Sequence, residues 1–176
     1  MNLDSYLPNL NLGTIKFLRK IITSESLIFE TGSGNSTIWF GKQVKKVVAL
    51  ENDKNWYKKV QQFIKKEGLQ NVKLYFDPDY PKKQFKDTMK KEDIIEYDIV
   101  LHDGPYHAEQ RVLAMKFIHL FVKPGGYLIV DDISNKQCAK GIKENLDILG
   151  WEKREIRGYK KSAIIYQRPI YDEGIL

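Results

Sequence analysis

Short apolar runs alternate with longer amphipathic stretches along the whole chain. The apolar runs Leu27-Ile28-Phe29, Val47-Val48-Ala49-Leu50 and Leu128-Ile129-Val130 are the length of buried strands. Strands are expected at 26–30, 46–51, 72–77, 97–102 and 127–130. Between them, helical spacing of apolar residues predicts helices at 11–22, 35–42, 108–122 and 134–149. A further helix is capped by Asp53, runs to Glu67 and stops at Gly68. Its stripe is Trp56, Val60, Phe63 and Ile64, and the stripe of the helix at 108–122 is Leu113, Phe117, Leu120 and Phe121. Pro124-Gly125-Gly126 reads as a turn before the fifth strand. Residues 151–157 and 162–167 read as two strands around Gly158, a hairpin pattern. The stretch 77–95 is expected to be a charged loop with one exposed helix. No internal repeat or low-complexity segment stands out.

Strands that alternate with helices call for a parallel sheet covered on both faces. The expected architecture is therefore α/β: a Rossmann-like, doubly wound, mostly parallel seven-stranded sheet with a C-terminal antiparallel hairpin. One domain over residues 1–176 is the expected organisation. In such sheets ligands bind beyond the carboxyl ends of the strands. The acids Glu30, Glu51, Asp77, Asp103, Asp131 and Asp132 all fall at those ends, which points to one shared acidic pocket.

The chemistry concentrates at residues 26–36, SLIFETGSGNS. A strand breaks there into the turn Gly32-Ser33-Gly34 and then opens a helix, so backbone N–H groups are free and a ligand can approach closely. Glu51 lies as far downstream as the ribose-binding acid of a dinucleotide site. Glu30, directly before the turn, argues against a pyrophosphate and for a cation. A nucleoside with a positively charged tail and no phosphate fits better, and S-adenosylmethionine is such a ligand.

Composition narrows the setting. The charge is +6, from lysines spread along expected water-facing helix surfaces, which reads as a solvated surface rather than a nucleic-acid footprint. A lone cysteine, Cys138, excludes an internal disulfide and fits a reducing compartment. No apolar run reaches membrane-spanning length, and the start MNLDSYLPNL lacks the pattern of a signal peptide, so a cytoplasmic location is expected.

ETGSG, Glu51, LHDGP and KPGGYLIVDD, in this order and spacing, resemble the class I S-adenosylmethionine-dependent methyltransferases. The likeness runs from the N-terminal helix to the final hairpin, with Ser36 where the motif usually has a third glycine. The resemblance implies a cofactor site of Glu30, Thr31, Gly32, Ser33, Gly34, Ser36, Glu51, Asn52, Asp77, Asp103 and Gly104. In it Glu30 would hold the methionine ammonium, directly or through water, and Glu51 the ribose hydroxyls. Asn52 and Asp77 would border the adenine, although Asp77 reads equally as a turn residue before Pro78.

Asp-Gly-Pro-Tyr-His with Asp-Asp downstream looks like an O-methyltransferase branch that includes cation-dependent enzymes. This implies that Asp103, Asp131 and Asp132 could hold Mg²⁺, which would lower the pKa of a substrate hydroxyl. His107, like Asp103, would serve in catalysis, as the proton acceptor. The competing reading is that Asp131 or Asp132 caps the next helix and Asp103 shapes the Gly104-Pro105 turn. His102, His119 and the three tryptophans read as structural. The expected acceptor is an oxygen of a small molecule, and specificity is expected from the first ten residues, the loop from Pro78 to Asp93 and the tail from Arg168. A site with so little lid also suits a homo-oligomer. Three alternatives stand: an RNA methyltransferase, a nicotinamide-dependent oxidoreductase and a non-catalytic binding domain. No Asn/Asp-Pro-Pro-Tyr/Phe motif is found, and DPDYP follows the wrong strand.

Overall fold

A computed structural model describes residues 7–80, 92, 96–105, 107–134, 136–158 and 161–170. The elements are α1 (Leu12–Ile21), β1 (Leu27–Thr31), α2 (Asn35–Gly41), β2 (Lys46–Glu51), α3 (Lys54–Lys66), β3 (Val72–Phe76), β4 (Tyr97–His102), α4 (Ala108–Met115), β5 (Val122–Val130), α5 (Lys136–Asn145), β6 (Glu152–Ile156) and β7 (Ala163–Gln167). Short 3₁₀ turns follow α4 at Ile118–Phe121 and α5 at Asp147–Leu149. The sheet order is β3-β2-β1-β4-β5-β7-β6. β1 to β5 pair in parallel, and β7 is antiparallel to both β5 and β6. This is the expected Rossmann-like fold. Among the described residues no helix is long and apolar enough to cross a membrane.

Period-two alternation sorts the core into two faces. Ile28, Val47, Ile99, Leu101, Ile129 and Ile165 pack toward α1 and α2, against Leu18, Trp39 and Phe40. Phe29, Val48, Val100, Leu128 and Val130 pack toward α4 and α5, against Met115, Cys138 and Ile142. Each of these large apolar side chains contributes about 1.5–3 kcal/mol when fully buried. Asp53 caps α3 as expected, accepting from the Trp56 N–H at 2.6 Å.

Three expected boundaries shift. The helix expected at 108–122 ends at Met115, because Phe117 leaves the helical region with φ −143° and ψ −9°. Its apolar period continues through the 3₁₀ turn, so the pattern alone does not show the break. The buried face is Arg111, Ala114, Met115 and Ile118, whereas Leu120 is exposed. The helix expected to reach Leu149 likewise ends at Asn145 and finishes as a 3₁₀ turn. Pro124-Gly125-Gly126 lies inside β5 as a bulge, since Val122 pairs with Tyr97 and Tyr127 with Ile99, which leaves residues 123–126 opposite Asp98 alone. Most of the stretch 77–95, the segment before residue 7 and the end of the tail lie outside the described residues.

The ladder continues past the strand ends. Gly32 N–H donates to Leu50 O at 2.9 Å, Asp103 N–H to Thr31 O at 3.0 Å, and Asp131 N–H to His102 O at 3.1 Å. The loops after β1 and β4 therefore run side by side, and they touch glycine to glycine. A Cβ on Gly104 would stand 2.7 Å from Gly32 Cα, and one on Gly32 2.9 Å from the Gly104 nitrogen. Gly32 also has φ +80°, a conformation side-chain-bearing residues avoid. Gly34 differs: its backbone is extended, and a Cβ there meets only Trp56 at 3.8 Å.

Gly104→Ala should therefore destabilise the protein by about 1–3 kcal/mol, a fall in Tm of several degrees. Gly34→Ser should leave Tm within about a degree, because serine suits the cap position of α2. Calorimetric unfolding checks both; equal Tm values for the two variants would contradict the glycine contact.

Candidate active site

A cavity of about 660 Å³ opens at the carboxyl ends of β1, β2 and β4. Its floor is the Gly32–Gly104 contact with Ser33 and Pro105. Glu51, Asn52, Asp53 and Trp56 form one wall, and Asp103, Arg111, Asp132 and Lys161 form the other.

Glu51 is the best-held acid in it. Its Oε2 accepts from Ser33 N–H at 3.0 Å and Ser33 Oγ at 2.8 Å. Its Oε1 accepts from Asn52 and Asp53 N–H, both at 2.9 Å. The carboxylate thus clamps the glycine turn to the start of α3. Trp56 adds a second clamp, donating its indole N–H to Ser33 O at 2.7 Å. Lys59 Nζ sits 4.8 Å from the centre of the Trp56 ring.

Glu30 is placed otherwise than expected. Its side chain is fully buried beneath the turn and does not line the cavity. Thr37 Oγ1 donates to it at 2.6 Å, and Ser36 Oγ donates to its other oxygen. Burial pushes its pKa from 4.5 up to about 8, against the pull of those two bonds. In this arrangement Glu30 is a prop under the glycine turn, and Ser36 and Thr37 serve it there. Gly34 also stays outside the lining. Thr31 Oγ1 is committed inward, 2.7 Å from His102 Nδ1 and donating to Gly104 O at 3.1 Å.

Asp77 takes the turn role. It is buried away from the cavity and accepts from Asp79 N–H at 3.1 Å. Burial raises its pKa.

The acids of the opposite wall do not gather as a metal site. Among the described residues no group of carboxylate, histidine or cysteine side chains could hold a metal ion. The charge of these acids is instead met by the protein's own cations. Arg111 lies 3.7 Å from Asp103, and its guanidinium donates to the backbone carbonyls of His102, at 3.2 Å, and Asp131. Lys161 Nζ lies 3.5 Å from the fully buried Asp131 and donates to Asn9 O at 2.8 Å. Asp132 faces the cavity from a backbone with φ +51°. Helix α5 starts at Lys136, so neither Asp131 nor Asp132 caps it. Burial, and next the neighbouring Asp131, push Asp103 up to about 7, while Arg111 and Lys161 pull it down. Burial raises Asp131 too, against the pull of Lys161 and Arg111.

His107 is exposed at the cap of α4 and does not line the cavity, so the expected proton acceptor is out of place. His102 is structural as expected. It is fully buried between Thr31 and Arg111 O, and burial pushes it down to about 3, so it is neutral. His119 packs edge-on against Trp151. The residues that the sequence did not single out are Arg111, Lys161, Asn9 and Lys59, and Trp56, read there as structural, also lines the cavity.

With this geometry in view, the relatives can be placed. Residues 29–133 match the family described as a methyltransferase domain. The chain belongs to that family. The match spans the glycine turn, the wall of Glu51 to Trp56, the Asp103, Arg111 and Asp132 part of the other wall, and the end of β5, while Lys161 lies beyond it. It bears out the expected class, the S-adenosylmethionine-dependent methyltransferases. Among solved structures, a putative methyltransferase from Streptococcus mutans in complex with SAH superposes with a TM-score of 0.69 at 16% identity, over 92% of this chain and 98% of that one. An O-methyltransferase from Bacillus cereus, also with SAH, gives 0.68 at 17% identity over 94% and 86%. A putative rRNA-methylase from Clostridium thermocellum gives 0.70 at 13% identity over 92% and 98%. No curated protein matches. At these identities the likeness is one of fold.

Glu30 provides a test of the site's electrostatics. Between pH 4.5 and about 8 the native state keeps a proton that the unfolded chain has released. Stability should therefore fall as pH rises through that window. Glu30→Gln, which keeps the shape and has no proton to lose, should flatten the fall. Thermal unfolding from pH 5 to about 8 measures it; parallel curves for wild type and variant would contradict a proton-holding Glu30.

Proposed function

We propose that this protein transfers a methyl group from S-adenosylmethionine to an acceptor oxygen, with Asp103 taking the acceptor's proton. The observation that carries the reading is the pairing of Glu51 with the Gly32–Gly104 floor. It offers an acceptor group for ribose hydroxyls beside a floor of glycine backbone without side chains. The cavity volume lies within the range of nucleoside-sized ligands. When bound, S-adenosylmethionine supplies a methyl group activated by its sulfonium.

Glu51 binds through lone pairs already shared with four donors. Three of these are backbone N–H groups and are fixed. The fourth is the Ser33 hydroxyl, which can rotate away, so a ribose hydroxyl takes its place. Trp56 and Asn52 then border the base. Asp103 and Asp132 supply negative charge toward a cationic tail, in place of the buried Glu30. At the same wall Asp103 is within reach of an acceptor hydroxyl and, with its raised pKa, is a competent base near neutral pH. Arg111 stabilises the carboxylate before it takes the proton.

The acceptor read from the sequence is an oxygen of a small molecule. A second reading is an oxygen of an RNA nucleotide. It is favoured by a groove lined by Lys16, Lys20, Arg154 and Arg157, and the Clostridium thermocellum neighbour is a putative rRNA-methylase.

Glu51→Gln should weaken S-adenosylhomocysteine binding about tenfold or more, as loss of charge-assisted hydrogen bonds does, whereas Ser33→Ala should stay within about threefold. Titration calorimetry separates the two, and equal losses would sink the role given to Glu51. Asp103→Asn should lower kcat about 10²- to 10⁴-fold and remove an acid limb near pH 7 from the rate profile, with a much smaller loss of cofactor affinity because Asp132 keeps its charge toward the tail. An unchanged profile would exclude Asp103 as the base.

A further inference from the structure

A groove of about 410 Å³ runs between α1 and the sheet-edge strand β6. Lys16, Phe17 and Lys20 line it from α1, and Arg154, Glu155, Ile156 and Arg157 from the strand side, so four cations face one carboxylate. Two periodicities aim the charges into it. Lys16 and Lys20 are one helical turn apart on the same face of α1. Ile156 packs toward α1, and strand alternation sets Arg154 on the same side of β6.

Four exposed cations gather here with little to balance them. Lys16, Lys20 and Arg154 make no ion pair among the described residues, and Arg157 shares Glu155 at 3.2 Å. Several lysines elsewhere are paired, Lys42 with Glu67, Lys46 and Lys73 with Glu92, and Lys153, on the opposite face of β6, with Asp147; what sets the groove apart is that its cations converge on one concavity. Like charges at helical spacing repel, so the unpaired set costs stability in the free protein and is relieved by an anion.

The groove also leads somewhere. β6 runs in the same direction as β5, because both are antiparallel to β7. Arg157, past the end of β6, is therefore on the cavity side of the sheet. Asn11 joins the two places: its side chain accepts from Gly13 N–H in the groove wall and donates to the carbonyl of Lys161, whose ammonium faces the cavity. A row of cations in a narrow concavity suits a repeating chain of phosphates better than a flat anionic bilayer.

We propose that this groove binds the phosphate backbone of a single-stranded nucleic acid and leads one of its nucleotides to the cavity as methyl acceptor. The second half rests on the methyltransferase reading; the first half stands without it. Single-stranded RNA and DNA share the phosphate chemistry, and the assay distinguishes them.

The test is fluorescence anisotropy with labelled RNA and DNA strands of about 12 nucleotides, titrated over a range of salt. Four phosphate contacts predict a slope of log affinity against log salt of about −3. Lys16→Gln with Arg154→Gln should weaken binding and make the slope shallower by about 1.4. The control pair Lys58→Gln with Lys65→Gln, exposed on α3, should change neither. RNA binding tighter than DNA would mark RNA as the strand, and the reverse would mark DNA; either supports the groove. Unchanged binding in the groove variant, an equal loss in the control pair, or binding of polyglutamate or anionic vesicles but of neither nucleic acid would overturn it. Calorimetry with S-adenosylhomocysteine is run on the same samples, and the groove variant should bind it as wild type does. Absent cofactor binding with intact, groove-dependent nucleic-acid binding would reject the methyltransferase reading and leave the groove upheld.

Discussion

Everything at the functional end of this protein depends on two backbones touching. The loops after β1 and β4 meet at Gly32 and Gly104 with no room for a side-chain carbon on either. Neighbouring central strands of a doubly wound sheet send their connections to opposite faces, so their loops part and leave a crevice. Here the crevice has a floor because the loops close on each other at its base. Directly below, Thr31, His102 and the Arg111 carbonyl are joined by buried hydrogen bonds that bind β1, β4 and α4 together. The contact above is held by a neutral, fully satisfied histidine beneath it.

A crevice ringed by carboxylates would repel itself, and the chain meets the problem acid by acid. Glu30 is buried under two hydroxyls and favours its proton. Glu51 is surrounded by N–H groups and keeps its charge. Asp131 is set against Lys161, and Asp103 lies between Arg111 and its acidic neighbours. Four acids that look equivalent in the sequence thus become a prop, a clamp, a buried counter-ion and an ionisable group open to the cavity. The difference comes from which donors the fold brings to each one.

The strand pattern was legible because each strand carries its own evidence, a short apolar run ending in an acid. β2 and β4 were expected with the bounds they have. Glu51 and the Gly32 turn were readable for the same reason: their roles are set within a few residues of a strand end. Arg111 and Lys161 were not. Arg111 sits in an amphipathic helix like any surface arginine until α4 crosses the ends of β4 and β5. Lys161 belongs to a lysine pair that reads as solvated surface until β7 folds back beside β5. The direction of a side chain was also beyond the sequence. Glu30 follows its motif, yet the pleat turns it inward, and His107 follows Asp103 closely but is exposed outside the cavity lining. Gly125 and Gly126 signalled a turn, and only the bulge in the neighbouring pairing shows why a strand contains them.

The wall carrying Lys161 is stitched to the opposite end of the chain. Asn11 holds the Lys161 carbonyl across 150 positions of sequence, and the Lys161 ammonium holds Asn9. During synthesis the central strands can pair well before this turn leaves the ribosome, since chains fold from the N-terminus as they emerge. The cavity then exists first as a half-open shelf of Glu51 and glycine backbone. It gains its basic wall only when the hairpin of β6 and β7 arrives, so the sheet that carries the binding site forms before the site is closed.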